Sequence, residues 1–469
     1  MVKPEGVTGE RGWVRVGLVV AVDFGSTFTK AVAVDAGSGE LVARAEHRTT
    51  IDTDVMDGWQ ACRAALLEVD RGVARAGVLA CSSAGGGLRI GVVGNEELVT
   101  AEAGKRVALS SGGRVVAVVS GGLTPASLRE LRKDRPDVVL LSGGTDGGNS
   151  AVLLKAAKTL ATYRWRRPVV VAGNVDAQAE IAEILADVPH VLADNVVPEI
   201  GVFAPDSARA AIREMFLAHV IGGKNLSRDP AFARMVRAAT PDVVLRGVEV
   251  LAGQHGDVAV VDIGGATTDV HSVIELDPED ANLGREVVAT HPVTRTVEGD
   301  LGMRWSAVPV VASGIEAGLV PDDEALRTAA VRRHDDPAYL PDSPAEAQYD
   351  EVLATVAATV ALRRHAGRQR IVFGPGGRVV ERSGKDLREV DLLVGSGGVL
   401  RHNGPEVAAR ILGAVAVNAR EEGWLVPESA QVCVDQDYVL AGVGLLADTD
   451  PKAAEGLAAH IHGTVAAGH

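Results

Sequence analysis

Two short stretches of the chain are versions of one another. Val20-Ala21-Val22-Asp23-Phe24-Gly25-Ser26-Thr27-Phe28-Thr29-Lys30 aligns without a gap on Ala259-Val260-Val261-Asp262-Ile263-Gly264-Gly265-Ala266-Thr267-Thr268-Asp269. In both, an apolar run ends at an aspartate, a glycine follows two residues later and a threonine six residues later. Asp23 and Asp262 stand 239 residues apart, about one domain of chain. A repeat at that distance predicts two similar half-molecules facing each other across a cleft.

The residue types suit a phosphate. Leu18–Val22 is short, continuous and rich in valine, as expected of a strand buried on both faces. Gly25 and Gly264–Gly265 let the backbone turn tightly and bring N–H groups close to an anion. Ser26, Thr27 and Thr29 on one side, with Thr267 and Thr268 on the other, add hydroxyl donors. Asp23 and Asp262 repel phosphate, so their sense is to hold Mg²⁺, which is bound by one or two carboxylates together with substrate oxygens. Either segment taken singly also fits an ordinary hairpin turn; the matched pair favours nucleotide.

Bulk properties narrow the field. At 469 residues the chain exceeds a single compact core. A hydrophobic share of 46% with 23% charged residues describes a globular protein, and a net charge of −15 speaks against a nucleic-acid partner. Cys62, Cys81 and Cys433 are scattered, which disfavours zinc, an iron–sulfur cluster or a disulfide framework and leaves buried thiols. With no leader-like apolar core near Met1 and no run of ~18 apolar residues, the expectation is a cytoplasmic protein without a membrane span.

Along the chain, residues 1–15 read as a flexible tail and 16–111 as a first ATPase-like half, with a helix over Asp54–Asp70 and a strand at Gly77–Ser82. Residues 112–222 alternate strand and helix patterns, which predicts a parallel sheet in an inserted, flavodoxin-like βα subdomain. Its loops Ser142–Asn149 and Gly173–Asp176 fit ligand or partner contact as well as helix capping. A connecting helical region at 223–256 precedes a second half at 257–446 and a C-terminal tail at 447–469. Pro321–Pro344 reads as a solvated lid or linker. The loop Gly395-Ser396-Gly397-Gly398 suits the adenosine end of a nucleotide. Asp437–Leu446 reads as a terminal helix whose small residues permit close packing at a hinge.

The Asp23–Lys30 and Asp262–Asp269 segments and the Gly395–Gly398 loop follow the order of the superfamily of actin, hexokinase and heat-shock chaperone ATPases. Cys81-Ser82-Ser83-Ala84-Gly85-Gly86, Leu141–Asn149, Gly173–Asp176 and Val297-Glu298-Gly299-Asp300-Leu301-Gly302 are more specific. On these, the chain from about residue 18 to 446 resembles the glutamate mutase accessory proteins called GlmL or MutL, unrelated to the mismatch-repair protein of that name. The resemblance implies an α/β fold of two ribonuclease-H-like halves around a nucleotide cleft. It also implies an ATPase that reactivates an adenosylcobalamin-dependent mutase. The chain lacks an Asp-x-His-x-x-Gly cobalamin segment, so the insertion is expected to touch the mutase subunit instead of carrying the cofactor.

In that reading ATP and Mg²⁺ lie between the halves, with Asp23 and Asp262 on the metal through water. Lys30 either offsets phosphate charge or points to solvent. The water-activating acid is Asp262, Glu298 or Asp300. Rival readings are a small-molecule kinase using the same cleft and a non-enzymatic, actin-like scaffold gated by nucleotide. A dehydratase activator of the same superfamily would need clustered cysteines. Oligomeric state, a dimer included, stays open.

Overall fold

The computed structural model describes residues 17–221, 225–276, 291–374 and 377–461. The proposed tail at 1–15 lies outside them.

Among the described residues, three five-stranded sheets and one hairpin make up the β-structure. In the first sheet, β1 (Leu18–Phe24), β2 (Phe28–Asp35) and β3 (Leu41–Arg48) form an antiparallel meander. On the other side of β1 runs β4 (Gly77–Ser82), parallel to it. Side chains alternate along β1 as the pleat dictates. Val20, Val22 and Phe24 join Met56, Trp59 and Leu66 of the helix Val55–Val69 in one core, while Ala21 faces a second core shared with Val243 and Leu440. Asp54 caps that helix by accepting from the Met56 N–H at 2.9 Å.

The middle of the chain builds a parallel sheet from β5 (Leu88–Val93), β6 (Gly113–Val119), β7 (Val138–Leu141), β8 (Val169–Val171) and β9 (His190–Leu192). The order β6-β5-β7-β8-β9 is the flavodoxin-like order. Its strand β5 and the helix Glu102–Ser110 that follows it lie ahead of residue 112. Periodicity cannot assign β5 to one sheet or another, because that choice rests on hydrogen bonds to β6 and β7. The chain then returns to the first sheet as β10 (Val236–Ala239), alongside β4. So the stretch read as a purely helical connection contains an edge strand before the helix Thr240–His255.

The second half repeats the first. Strands β11 (Val258–Ile263), β12 (Thr268–Val273) and β13 (Val293–Glu298) form the meander. A hairpin of β14 (Arg368–Gly374) and β15 (Gly377–Ser383) intervenes. Then β16 (Leu392–Ser396) and β17 (Gln431–Val434) add in parallel on the far side of β11. Sheet order β13-β12-β11-β16-β17 therefore matches β3-β2-β1-β4-β10 strand for strand.

Between the halves cross the helices Thr240–His255 and Leu440–Ala447. They touch backbone to backbone: a Cβ on Gly444 would lie 1.9 Å from the Val243 carbonyl oxygen, and one on Gly247 2.4 Å from that of Leu440.

Two expectations are corrected. Within 321–344 lies the helix Glu324–Asp335, not a solvated linker. Its Leu326, Ala329, Ala330 and Arg333 form a buried face, and the wholly buried Arg333 pairs with Asp350 at 2.5 Å and Glu346 at 3.0 Å. The 447–469 segment is not all tail, because Pro451–Ala458 is a helix that buries Ala453, Ala454, Leu457 and Ala458 against the inter-half core. In both segments polar composition concealed a narrow apolar stripe.

Candidate functional site

The two repeated segments close their hairpins in the same way. The Gly25 N–H donates to the Phe28 carbonyl at 3.1 Å, and the Gly264 N–H to the Thr267 carbonyl at 2.9 Å. A Cβ at Gly25 would stand 2.5 Å from that Phe28 oxygen, so the turn needs glycine. Asp23 lies opposite Lys30 across the first ladder, and Asp262 opposite Asp269 across the second. The parallel neighbour supplies Cys81 beside Asp23 and Ser396 beside Asp262. Both donate to their aspartate, Cys81 Sγ at 3.5 Å to Oδ1 of Asp23 and the Ser396 hydroxyl to Asp262.

Asp23 is 4% exposed. Thr240 Oγ1, at the start of the first crossing helix, donates to its Oδ1 at 2.5 Å, and the Tyr438 hydroxyl to its Oδ2 at 3.2 Å. The Lys30 ammonium sits 3.1 Å from the Tyr438 ring centroid. Burial pushes the Asp23 carboxyl up against the opposing pull of Lys30 and the three donors. The same burial lowers Lys30 while Asp23 and Asp262 raise it. Asp262 is pushed up to about 6 by burial, with the charges of Asp269 and Asp23 adding and Lys30 opposing. Lys30 thus shares its charge with two carboxylates, and Asp262 is left in electrostatic deficit. A divalent cation reached through water would relieve that deficit, and one or two carboxylates with phosphate oxygens are what Mg²⁺ sites use. Among the described residues no group of three or more His, Cys, Asp or Glu is arranged to hold a metal, so a cation here would take its remaining ligands from water and phosphate.

A cavity of about 280 Å³ opens beside Asp23 and Lys30, edged by Arg44, Arg401 and Tyr438. The segment Gln436–Tyr438 forms one wall. Arg44 pairs with Asp437 at 2.5 Å and donates to the Gln436 carbonyl at 3.0 Å, and Arg401 donates to that same carbonyl at 3.1 Å. Tyr438 has φ +55°, a left-handed conformation unusual for an aromatic residue.

The remaining expected residues divide. Ser26, Thr27 and Gly265 are exposed at the hairpin tips, within reach of a ligand. Thr29 and Thr268 are fully buried and turn away. Successive strand residues point to opposite faces, so placing Lys30 and Asp269 toward the cleft sends their neighbours inward. Thr29 Oγ1 meets Thr49 Oγ1 at 3.2 Å, and Thr268 Oγ1 donates to the Leu301 carbonyl at 2.6 Å. Both hydroxyls fasten the hairpins from the buried side. Thr267 Oγ1 donates to Asp269 Oδ2 at 3.2 Å within its own turn.

Glu298 and Asp300 are both taken by Arg364, at 2.8 and 2.7 Å. Arg364 lowers Asp300, whereas burial raises Glu298. Of the three acids considered for activating water, Asp262 is the one whose charge is coupled to Lys30 and Asp23. Gly397, at φ +104°, brings its loop against β11, where a Cβ would be 2.3 Å from the Ile263 carbonyl oxygen. Gly395 lies under Leu400 and Leu412, and Gly398 opens the short helix Gly398–His402. In the insertion, the Asn149 and Asn174 side chains cap the Ala151 and Asp176 N–H groups at 2.9 Å each, and Asp146 ties the two glycine-bearing loops together through Val175 and Asn195.

Thr240, Tyr438 and Arg401 were not legible as site residues in the sequence. Thr240 joins Asp23 through the return of β10 to the first sheet, Tyr438 and Arg401 through the closure of the two halves, and no local spacing signals either.

The profile of the MutL protein family matches residues 19–461. The chain belongs to the MutL family. It is 36% identical over 447 residues to Protein MutL of Clostridium tetanomorphum, covering 92% of this chain and 96% of that one. Among solved structures, nucleotide-free acetone carboxylase aligns at a TM-score of 0.39 and 16% identity, over 92% of this chain and 70% of that chain. The ADPNP-bound activator of 2-hydroxyisocaproyl-CoA dehydratase from Clostridium difficile aligns at 0.31 and 11%, over 93% and 96%. A carbohydrate kinase from Novosphingobium aromaticivorans aligns at 0.31 and 14%, over 93% and 92%. Within Val297–Gly302, Gly302 backs the second hairpin at Ala266, where a Cβ would come within 2.4 Å. Among the described residues no helix is long and apolar enough to cross a membrane.

Proposed function

We propose that this MutL-family chain binds ATP·Mg²⁺ between its halves, hydrolyses it, and serves as a reactivating accessory of an adenosylcobalamin-dependent mutase such as glutamate mutase, in the cytoplasm. The observation that supports the nucleotide reading most is the duplicated aspartate hairpin, in which Asp23 and Asp262 end matching strands and both act electrostatically on Lys30. Asp23 and Asp262 hold the metal through its water shell. The exposed N–H and hydroxyl groups of Ser26, Thr27 and Gly265, with the half-buried Thr267 hydroxyl, receive the phosphates, and Gly25 and Gly264, whose own N–H groups close the turns, let the hairpin backbone approach them. Lys30 leaves the Tyr438 ring to offset phosphate charge, and Gly395–Gly398 lies beside the nucleoside. Asp262, with a carboxyl displaced toward neutrality, orients the attacking water. Hydrolysis asks for little beyond such positioning.

The mutase assignment is supported by family membership, and the inserted βα layer is the surface offered to that partner. The test has two arms. Asp23→Ala and Asp262→Ala are each expected to remove Mg²⁺-dependent ATP turnover, and full turnover in both variants overturns the cleft. Capture of the tagged chain from its source cell is expected to bring a cobalamin-dependent mutase subunit. A metabolite-dependent turnover without such a partner favours the kinase reading instead.

A further inference from the structure

Arg295, on β13 of the second half, reaches across to the inserted layer. Nη2 donates to Asp269 Oδ1 at 2.6 Å, while Nη1 donates to the carbonyls of Leu109 at 3.0 Å and Gly113 at 3.4 Å. Leu109 belongs to the last turn of the helix Glu102–Ser110, and Gly113 opens β6, the edge strand of the inserted sheet. Arg295 is 6% exposed, and its buried Nε–H has no acceptor among the described residues. A guanidinium fixed at both ends in a buried place has little slack, since losing a charge-assisted bond there leaves a desolvated charge unmatched.

The other end of this grip is the second phosphate hairpin. Asp269 is the cross-strand partner of Asp262, and its Oδ2 accepts from Thr267 Oγ1 in the turn itself. A continuous polar path therefore runs from Thr267 through Asp269 and Arg295 to backbone carbonyls of the insertion. The flavodoxin-like layer is covalently part of the first half, yet this contact ties it to the loop of the second.

We propose that Arg295 is a positioning residue that transmits occupancy of the second phosphate hairpin to the helix Glu102–Ser110 and β6 of the inserted layer. This rests on the nucleotide reading above. When an anion settles on Gly264–Thr267, Thr267 Oγ1 turns from Asp269 to the phosphate. Asp269 then shifts against Arg295, and the helix terminus held by Nη1 follows.

Amide hydrogen exchange on the full-length protein, with and without ATP·Mg²⁺, tests this. In the parent chain, peptides over 23–30 and 262–269 are expected to slow. A peptide over 102–119 is expected to change its exchange rate by about fivefold, the lower end of usual coupling between sites. Arg295→Lys keeps a charge for Asp269 but cannot span carboxylate and carbonyls together. It is expected to preserve the hairpin response and abolish the change over 102–119. Asp269→Asn, which loosens the opposite end of the grip, is expected to do the same and decides the matter if Arg295→Lys does not fold. Hairpins that respond without 102–119 in the parent overturn the proposal and leave the nucleotide reading intact. An unchanged 102–119 response in the variants also overturns it. No response anywhere removes the nucleotide reading and this proposal together.

Discussion

Replacing Asp262 with asparagine is expected to stabilise the empty protein while destroying its use of Mg²⁺. Burial, together with the charges of Asp269 and Asp23, lifts the Asp262 carboxyl from 3.8 to about 6. Each pH unit of such displacement corresponds to about 1.36 kcal/mol, so keeping the ionised group in an empty cleft costs up to about 3 kcal/mol. The sign follows from counting protons. Between pH 3.8 and about 6 the folded chain retains a proton that the unfolded chain has released. Stability therefore falls as the pH rises through this window and levels off above it. Asparagine keeps the shape and an acceptor for Ser396 without the charge. Urea unfolding at a series of pH values should show Asp262→Asn more stable than the parent at pH 8 by about 2–3 kcal/mol, with the gap closing toward pH 4. ATP·Mg²⁺ should raise the stability of the parent and leave the variant unmoved. Equal or lower stability of the variant at pH 8, or a gap that ignores pH, refutes the account of Asp262 as an unrelieved, half-buried charge. Active sites commonly hold such a conflict between stability and function.

Other substitutions probe the frame around the cleft. Gly444→Ala places a Cβ 1.9 Å from the Val243 carbonyl oxygen and is expected to cost about 1–3 kcal/mol in urea unfolding. Gly253→Ala, in the facing helix with open space around it, should instead gain about 0.5–1 kcal/mol by the same assay. Unchanged stability in Gly444→Ala would mean that the two crossing helices are not in backbone contact. Arg333→Ala removes a wholly buried guanidinium while Asp350 keeps Arg304 and Glu346 keeps Arg332; a loss of about 1–3 kcal/mol is expected, and unchanged stability would restore Pro321–Pro344 to the status of a linker.

The sequence by itself determined the duplicated architecture, because strand, turn glycine and aspartate are local choices written twice. Asp23 and Asp262 were legible for the same reason: an acid ending a buried strand beside a glycine turn is costly unless it has a partner. The βα rhythm of the middle segment was legible too, since periodicity reports which faces are apolar. Tertiary structure decided the rest. It joined β5 to the inserted sheet and β10 to the first through hydrogen bonds that periodicity does not encode. It gave Lys30 to the cleft and Thr29 to the core, a choice that depends on which face of the sheet the second half covers. It also brought Thr240 and Tyr438 onto Asp23 across 217 and 415 residues of chain. The first arises when a distant strand returns to the sheet of Asp23 and the second when the two halves close on each other, and no window of neighbouring residues carries the trace of either.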